Sequence, residues 1–313
     1  MIPKLLTSSK VTIGYKNVCF QNTKLNDFFT ILVQDYEQYQ NDPEFMEYLE
    51  ERKFASSILA PFITSEPSVP EPWQKPFHIQ GLIIEGEPRL DMLKILLEKG
   101  ICIHSLGIES DVSVEWLNSL NSTIEGTHTS AIEFRNSSID ESRLNEILPA
   151  FNCYHGVRKT NKNQLFVNNE SFYSNAVHTN AYTYSKLLLD QHGVLYNTVF
   201  KDDRITAEQV LQAQPADLST LSDHSNWYSK KDATDVCAQC EFRYMCIDKR
   251  KPLQRTDNEW YFETECAYNP FIGKWKGDQG YQSLERCGVV SDASGYIVDS
   301  EQISQVNSEI LHE

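Results

Sequence analysis

The chain has 313 residues, 28 Lys+Arg against 44 Asp+Glu, and a formal net charge of −16. The length allows two domains or three small ones, and 40% hydrophobic with 11% aromatic residues excludes global disorder. A pI near 4.9 excludes nucleic acid as the main partner, which needs a basic face, and an anionic membrane surface with it. No apolar run reaches the ~18 residues of a membrane-spanning helix. The start, Met1-Ile2-Pro3-Lys4-Leu5-Leu6-Thr7, lacks the apolar stretch of a signal peptide. The expectation is a cytoplasmic protein whose thiols stay reduced.

In chain order, Val11–Tyr15 and Val18–Phe20 predict two short strands around a Lys16-Asn17 turn. Phe28, Phe29, Leu32 and Tyr36 predict a helix over Asn26–Tyr39. Asp42-Pro43 supplies an N-cap with proline at the first helical position, opening a second amphipathic stretch over Glu44–Phe54. Ser65–Pro72 holds three prolines in eight residues and marks a domain boundary. Then strands and helices alternate. Ile79–Ile84, Ile101–Leu106 and Ala131–Phe134 predict strands, with Gln164–Val167 a further one. Leu90–Lys99, Val112–Leu120 and Glu141–Leu148 predict helices, the first stopped by Gly100. Alternation with short connections argues for βαβ units and a parallel sheet, in too few repeats for a complete eightfold barrel. Tyr184–Leu189 and Val194–Val199 predict a hairpin around Asp190-Gln191-His192-Gly193, and Thr206–Gln214 a short helix. From Asp223 the text turns aromatic and polar with little periodicity, and the tail after Asp292 is polar. A segment so poor in aliphatic residues needs another source of order, which a metal would supply.

Eight cysteines divide into two sets. Cys19, Cys102, Cys153 and Cys287 are scattered singly, while Cys237-x2-Cys240-x5-Cys246 is followed by Cys266. Two thiolates two residues apart can converge on one centre, a third closes a face and a fourth returns from a loop. Arg243, Lys249, Arg250 and Lys251 supply positive charge to such a site, and Phe242, Tyr244, Trp260, Tyr261 and Phe262 can shield it from water. Spacing alone leaves tetrahedral zinc and a [4Fe–4S] cluster both open.

The run Cys237-Ala238-Gln239-Cys240-Glu241-Phe242-Arg243-Tyr244-Met245-Cys246-Ile247-Asp248-Lys249-Arg250, followed by Glu265-Cys266-Ala267-Tyr268-Asn269-Pro270, resembles the C-terminal SPASM domain of peptide-maturing radical SAM proteins. With Lys274-Trp275-Lys276-Gly277, it is most similar to the grasp-with-spasm system SPASM domain peptide maturases, over residues 184–281. That resemblance implies one [4Fe–4S] cluster on Cys237, Cys240, Cys246 and Cys266, with zinc as the alternative. It also implies a ribosomally made precursor peptide and an ATP-grasp ligase as partners, with neither nucleic acid nor membrane. Two positions depart from the pattern: Asn197 and Arg250 stand where further cysteines are expected, which implies that a second cluster is lost. The CxxxCxxC triad of radical SAM chemistry is absent, so no S-adenosylmethionine is expected.

The expected fold is α/β. A degenerate partial (β/α) barrel over 73–180 follows a small winged-helix-like α+β unit over 1–72. A SPASM-type metal domain over 181–291 and a polar tail over 292–313 complete it. The expected function is binding and positioning of the precursor peptide beside the ligase. The alternatives are an electron-transfer or redox enzyme using the single cluster, or a zinc-stapled scaffold. No catalytic residue is assigned. His78, His104 and His128 with Glu85, Glu109 and Glu133 fall near strand ends of the α/β region without forming a motif, and no GxGxxG, GxxxxGK or nucleophile elbow occurs. Cys102 and Cys153 read as buried inert thiols. The N-terminal unit is a candidate for binding a leader peptide by strand addition, against the plain alternative that it caps the barrel.

Overall fold

The computed structural model describes residues 3–57, 78–135, 137–155, 165–197, 199–202, 204–212 and 225–310. The proline-rich boundary at 65–72 lies outside them, as does the first residue of the strand expected at 164–167. The chain is a mixed α/β protein, with a seven-stranded, mostly parallel sheet and eight α-helices among the described residues. No helix there is long and apolar enough to cross a membrane. Contacts gather the chain into two compact units in place of consecutive segments. The first combines Met1–Pro70, Asn161–Tyr182 and Ser229–Glu313; the second combines Glu71–Thr160 and Thr183–Tyr228.

The first unit begins with β1 (Lys4–Leu5), then a three-stranded antiparallel meander of β2 (Ser9–Ile13), β3 (Asn17–Asn22) and β4 (Asp27–Leu32). Helices α1 (Val33–Tyr39) and α2 (Pro43–Glu51) follow, and β5 (Ala55–Ser56) pairs back with β1. The helix expected over 26–39 is therefore half strand. Phe29 sits opposite Phe20 in the β3–β4 register, its ring stacked on Phe20 with centroids 5.1 Å apart. Cross-strand aromatic pairing outweighs the helical spacing of the same residues. The Asp42 cap forms as expected, its side chain accepting from the Glu44 N–H.

In the second unit the chain runs β6 (His78–Ile84), α3 (Asp91–Glu98), β7 (Cys102–Ile108), α4 (Val114–Ile124), β8 (Ala131–Phe134), α5 (Glu141–Ile147) and β9 (Asn152–His155). It contributes α6 (Glu170–His178) to the first unit and returns as β10 (Lys186–Leu189), β11 (Leu195–Tyr196), β12 (Arg204–Ile205) and α7 (Ala207–Gln212). The strand order is β12-β11-β10-β6-β7-β8-β9, and neighbours from β10 to β9 are parallel. Because β6 to β9 advance in one direction, right-handed crossovers put α3, α4 and α5 on one face. Leu82, Ile84, Leu106, Ile108, Ile132 and Phe134 meet Leu93, Leu117 and Leu144 there in the main core. Strand alternation sends Gly81, Ile83, Ser105, Gly107, Glu133, Lys186 and Leu188 to the other face. The expected hairpin of 184–199 forms, with Gly193 at φ 76° and the Asp190 carboxylate accepting from the N–H groups of His192 and Val194.

The rest of the first unit is built from turns and short hairpins: β13 (Leu253–Thr256) with β14 (Glu259–Tyr261), β15 (Tyr268–Asn269) with β16 (Lys274–Trp275), and β17 (Val290–Asp292) with β18 (Gly295–Ile297). The tail differs from a plain polar extension. Helix α8 (Ser300–Ile310) buries Ile303 completely beside Phe271, Leu284 and Cys287.

Candidate metal centre

A short 3-10 turn, Asp235–Gln239, carries Cys237, and the Cys240 N–H closes on the Cys237 carbonyl at 3.0 Å. A second turn closes from the Cys246 N–H to the Phe242 carbonyl at 3.0 Å. Phe166 bridges antiparallel to Cys246, and the Val167 N–H donates to Met245 while that of Ile247 donates to Leu165. The segment expected to add a strand to the large sheet thus braces the cysteine block instead. Cys266 arrives after the β13–β14 hairpin, and its sulfur accepts the Tyr268 N–H at 3.4 Å.

All four thiols are partly buried and interact electrostatically. Desolvation pushes Cys237, Cys240 and Cys246 up, Cys246 to about 12. Neighbouring thiols add to this: Cys237 and Cys246 act on Cys240, and Cys266 acts on both Cys237 and Cys246. Lys231 opposes at Cys237 and Cys246, and Arg250 at Cys237. Arg250 Nη2 lies 3.9 Å from Cys237 Sγ, and the same guanidinium donates to Thr264 O. Among the described residues, no group of three or more His, Cys, Asp or Glu is placed to hold a single metal ion.

The N-terminal meander takes part in this region. Tyr15 N–H donates to Gln239 O at 2.8 Å, and Arg243 Nη1 donates to both Ile13 O and Cys240 O at 2.9 Å. Asn17 Nδ2 donates to Glu241 Oε1 at 2.9 Å, and the Tyr268 hydroxyl donates to that same oxygen. Glu241 is fully buried, and its Oε2 has no hydrogen-bond partner among the described residues. Burial raises its pKa against the lowering effect of Tyr268 and Asn17. Cys19, Phe242, Met245 and Tyr268 form an apolar cluster with Phe28, Phe166, Cys240, Cys266 and Trp275 packed against it.

Of the residues named from the sequence, Arg250, Arg243 and Phe242 meet the cysteines, Phe262 lies under two cations, and Lys249 and Lys251 are exposed. Lys231, Asp248, Asn17, Tyr268 and Phe166 were not singled out. Asn17 and Phe166 reach the site from far along the chain, and no spacing within the cysteine block points to them. Asp248 and Tyr268 do sit inside the quoted motif, where a charge and an aromatic two residues past a cysteine are the only signal.

The remaining candidates are dispersed. Cys19 and Cys287 are buried in the first unit, Cys102 and Cys153 lie on β7 and β9, and burial pushes Cys153 up to about 11. His78 and His104 belong to the amino-terminal parts of β6 and β7, and His128 precedes β8. Glu85 and Glu109 follow the carboxyl ends of β6 and β7, and Glu133 lies within β8. The parallel strands therefore separate the histidines from the glutamates. Arg135 draws two of the acids together, pairing with Glu109 and, at 2.8 Å, with Glu133, while Lys201 takes Glu85 at 2.7 Å.

No protein-family model, no curated protein and no solved structure matches the chain.

Proposed function

We propose that the chain is a SPASM-type peptide-maturation protein that carries one [4Fe–4S] cluster on Cys237, Cys240, Cys246 and Cys266. Its role is to bind and position a ribosomal precursor peptide for an ATP-grasp ligase, without radical SAM chemistry of its own. The observation that carries the reading is the gathering of the cysteines in one place: Cys240 and Cys266 pack against one apolar cluster, Arg250 Nη2 lies 3.9 Å from Cys237 Sγ, and charge interactions link Cys237, Cys246 and Cys266. Four crowded thiols and two buried cations are the donor chemistry of a thiolate-ligated group.

When bound, such a cluster supplies a closed, four-thiolate electron store and a structural tie. The chain's own residues do the rest: Asn17, Glu241 and Tyr268 link the meander to the cysteine loop, and Phe166, Phe242 and Trp275 exclude water around it. The one-directional order of β6 to β9, with helices on one face, supports descent of the second unit from a (β/α) barrel. The meander's outer strand β4 has an unpaired edge among the described residues, which supports strand addition as the mode of leader binding.

Anaerobic purification followed by iron, sulfide and zinc determination tests the centre, with about four irons and four sulfides per chain expected. A colourless protein with stoichiometric zinc overturns the cluster. Titration with the precursor peptide, with and without the ligase, tests the role, and no binding in either case overturns it.

A further inference from the structure

Lys231 and Arg250 come from different turns, yet one carboxylate holds both. Asp248 takes Lys231 Nζ at 3.0 Å and Arg250 Nη2 at 2.6 Å. The Phe262 ring lies beneath the two cations, 5.6 Å from Lys231 Nζ and 4.1 Å from the Arg250 guanidinium. The side chains of Lys231, Arg250 and Asp248 are only 12%, 21% and 10% exposed, so salt screens them little. Two cations less one carboxylate leave one net positive charge on the trio; hydrogen bonds to Asp248 hold both cations, and Arg250 Nη2 lies 3.9 Å from Cys237 Sγ.

We propose that Arg250 and Lys231 are positioning residues that set the reduction potential of the cluster on Cys237, Cys240, Cys246 and Cys266, with Asp248 acting in the opposite sense. This rests on the cluster reading above. Uptake of one electron from a low-potential one-electron reductant adds one negative charge to the site, and no proton or ligand leaves. A fixed positive charge favours that added electron and a fixed negative charge disfavours it. A purely structural trio would hold the loop equally well at either potential. Where the resemblance expects a further thiolate, Arg250 would then supply a positive charge in place of a negative one.

The test is an anaerobic redox titration of the full chain with dithionite, followed by visible absorbance and electron paramagnetic resonance. Arg250→Gln is expected to raise the oxidised-to-reduced ratio at fixed potential about tenfold, which is ~59 mV downward for a one-electron couple. Arg250→Lys keeps the charge and is expected to titrate close to the parent. Asp248→Asn removes the carboxylate and is expected to shift upward. Iron-loaded Arg250→Gln and Asp248→Asn that both titrate with the parent, or move in the same direction, overturn the proposal. Should Arg250→Gln lose its iron, Lys231→Gln replaces it in the contrast, and an unshifted potential there overturns the proposal equally. Parent protein with zinc and no iron or sulfide overturns the cluster reading itself, and metal content shows that before any titration begins.

Discussion

Lys186 stands on β10 opposite Gly81, on the sheet face away from α3, α4 and α5. Its ammonium is lowered to about 8, by burial first and by Arg135 second, with Glu133 opposing. Between that value and the ~10.4 of an unfolded lysine, the unfolded chain holds a proton that the folded chain has released. Stability therefore rises with pH across that window, and below it the buried charge carries its full cost. Lys186→Met is expected to flatten this rise and to stabilise the second unit at neutral pH by ~1–3 kcal/mol, measured by denaturant unfolding at several pH values. At the cysteines the expectation is loss. Cys240→Ala should release the metal and destabilise residues 230–280 by several kcal/mol, since metal binding in such a segment is folding free energy. Cys102→Ala, on β7 in the other unit, should leave metal content unchanged; iron analysis of both variants checks the pair.

At the scale of elements, the turn between β2 and β3 is the piece that seats the meander on the cysteine loop. A Cβ on Gly14 would lie 2.7 Å from Glu241 N and 3.0 Å from both Asn17 O and Gln239 O. All three are backbone atoms, which cannot swing aside as a side chain would. Gly14→Ala should cost the first unit ~1–3 kcal/mol and speed loss of metal, read by thermal melting and by the rate of cluster bleaching in air. The two strands around this turn were legible in the sequence, because β-branched and apolar residues flank Lys16-Asn17. So were β6, α3, β7, α4, β8 and α5, whose apolar residues fall at strand or helix spacing; the Ser113 and Asp140 caps that open α4 and α5 were not read from it. Phe28, Phe29 and Leu32 misled in β4, since their spacing with Tyr36 fits a helix and only the partner strand decides. Phe166 misled too: an apolar run of strand length shows neither which sheet it joins nor that it pairs with Met245–Ile247. The four-cysteine set and the charge of Arg250 could be picked out from the sequence, but Lys231 could not, because it lies outside any motif.

Over the whole molecule, two cores divide the chain. The second unit has its own continuous apolar core from Leu82 to Val210, whereas the first holds several small clusters around its hairpins. Small clusters bury little area each, so the proposed cluster would matter more to the first unit. Stripping the metal is expected to remove amide-exchange protection from residues 230–280 while β6, β7 and β8 keep theirs, as hydrogen exchange with and without a chelator would show. The order in which segments leave the ribosome then acquires a meaning. The meander emerges first, but its partners at Gln239, Glu241 and Tyr268 are translated last, after the whole of the second unit. At ~5–20 residues per second that is a wait of roughly 10–50 s. During it the strands of residues 9–32 are nascent, aromatic and without their docking surface, while the second unit has time to fold. Assembly of the proposed cluster on such a chain would be a late event, one that closes around a meander already made.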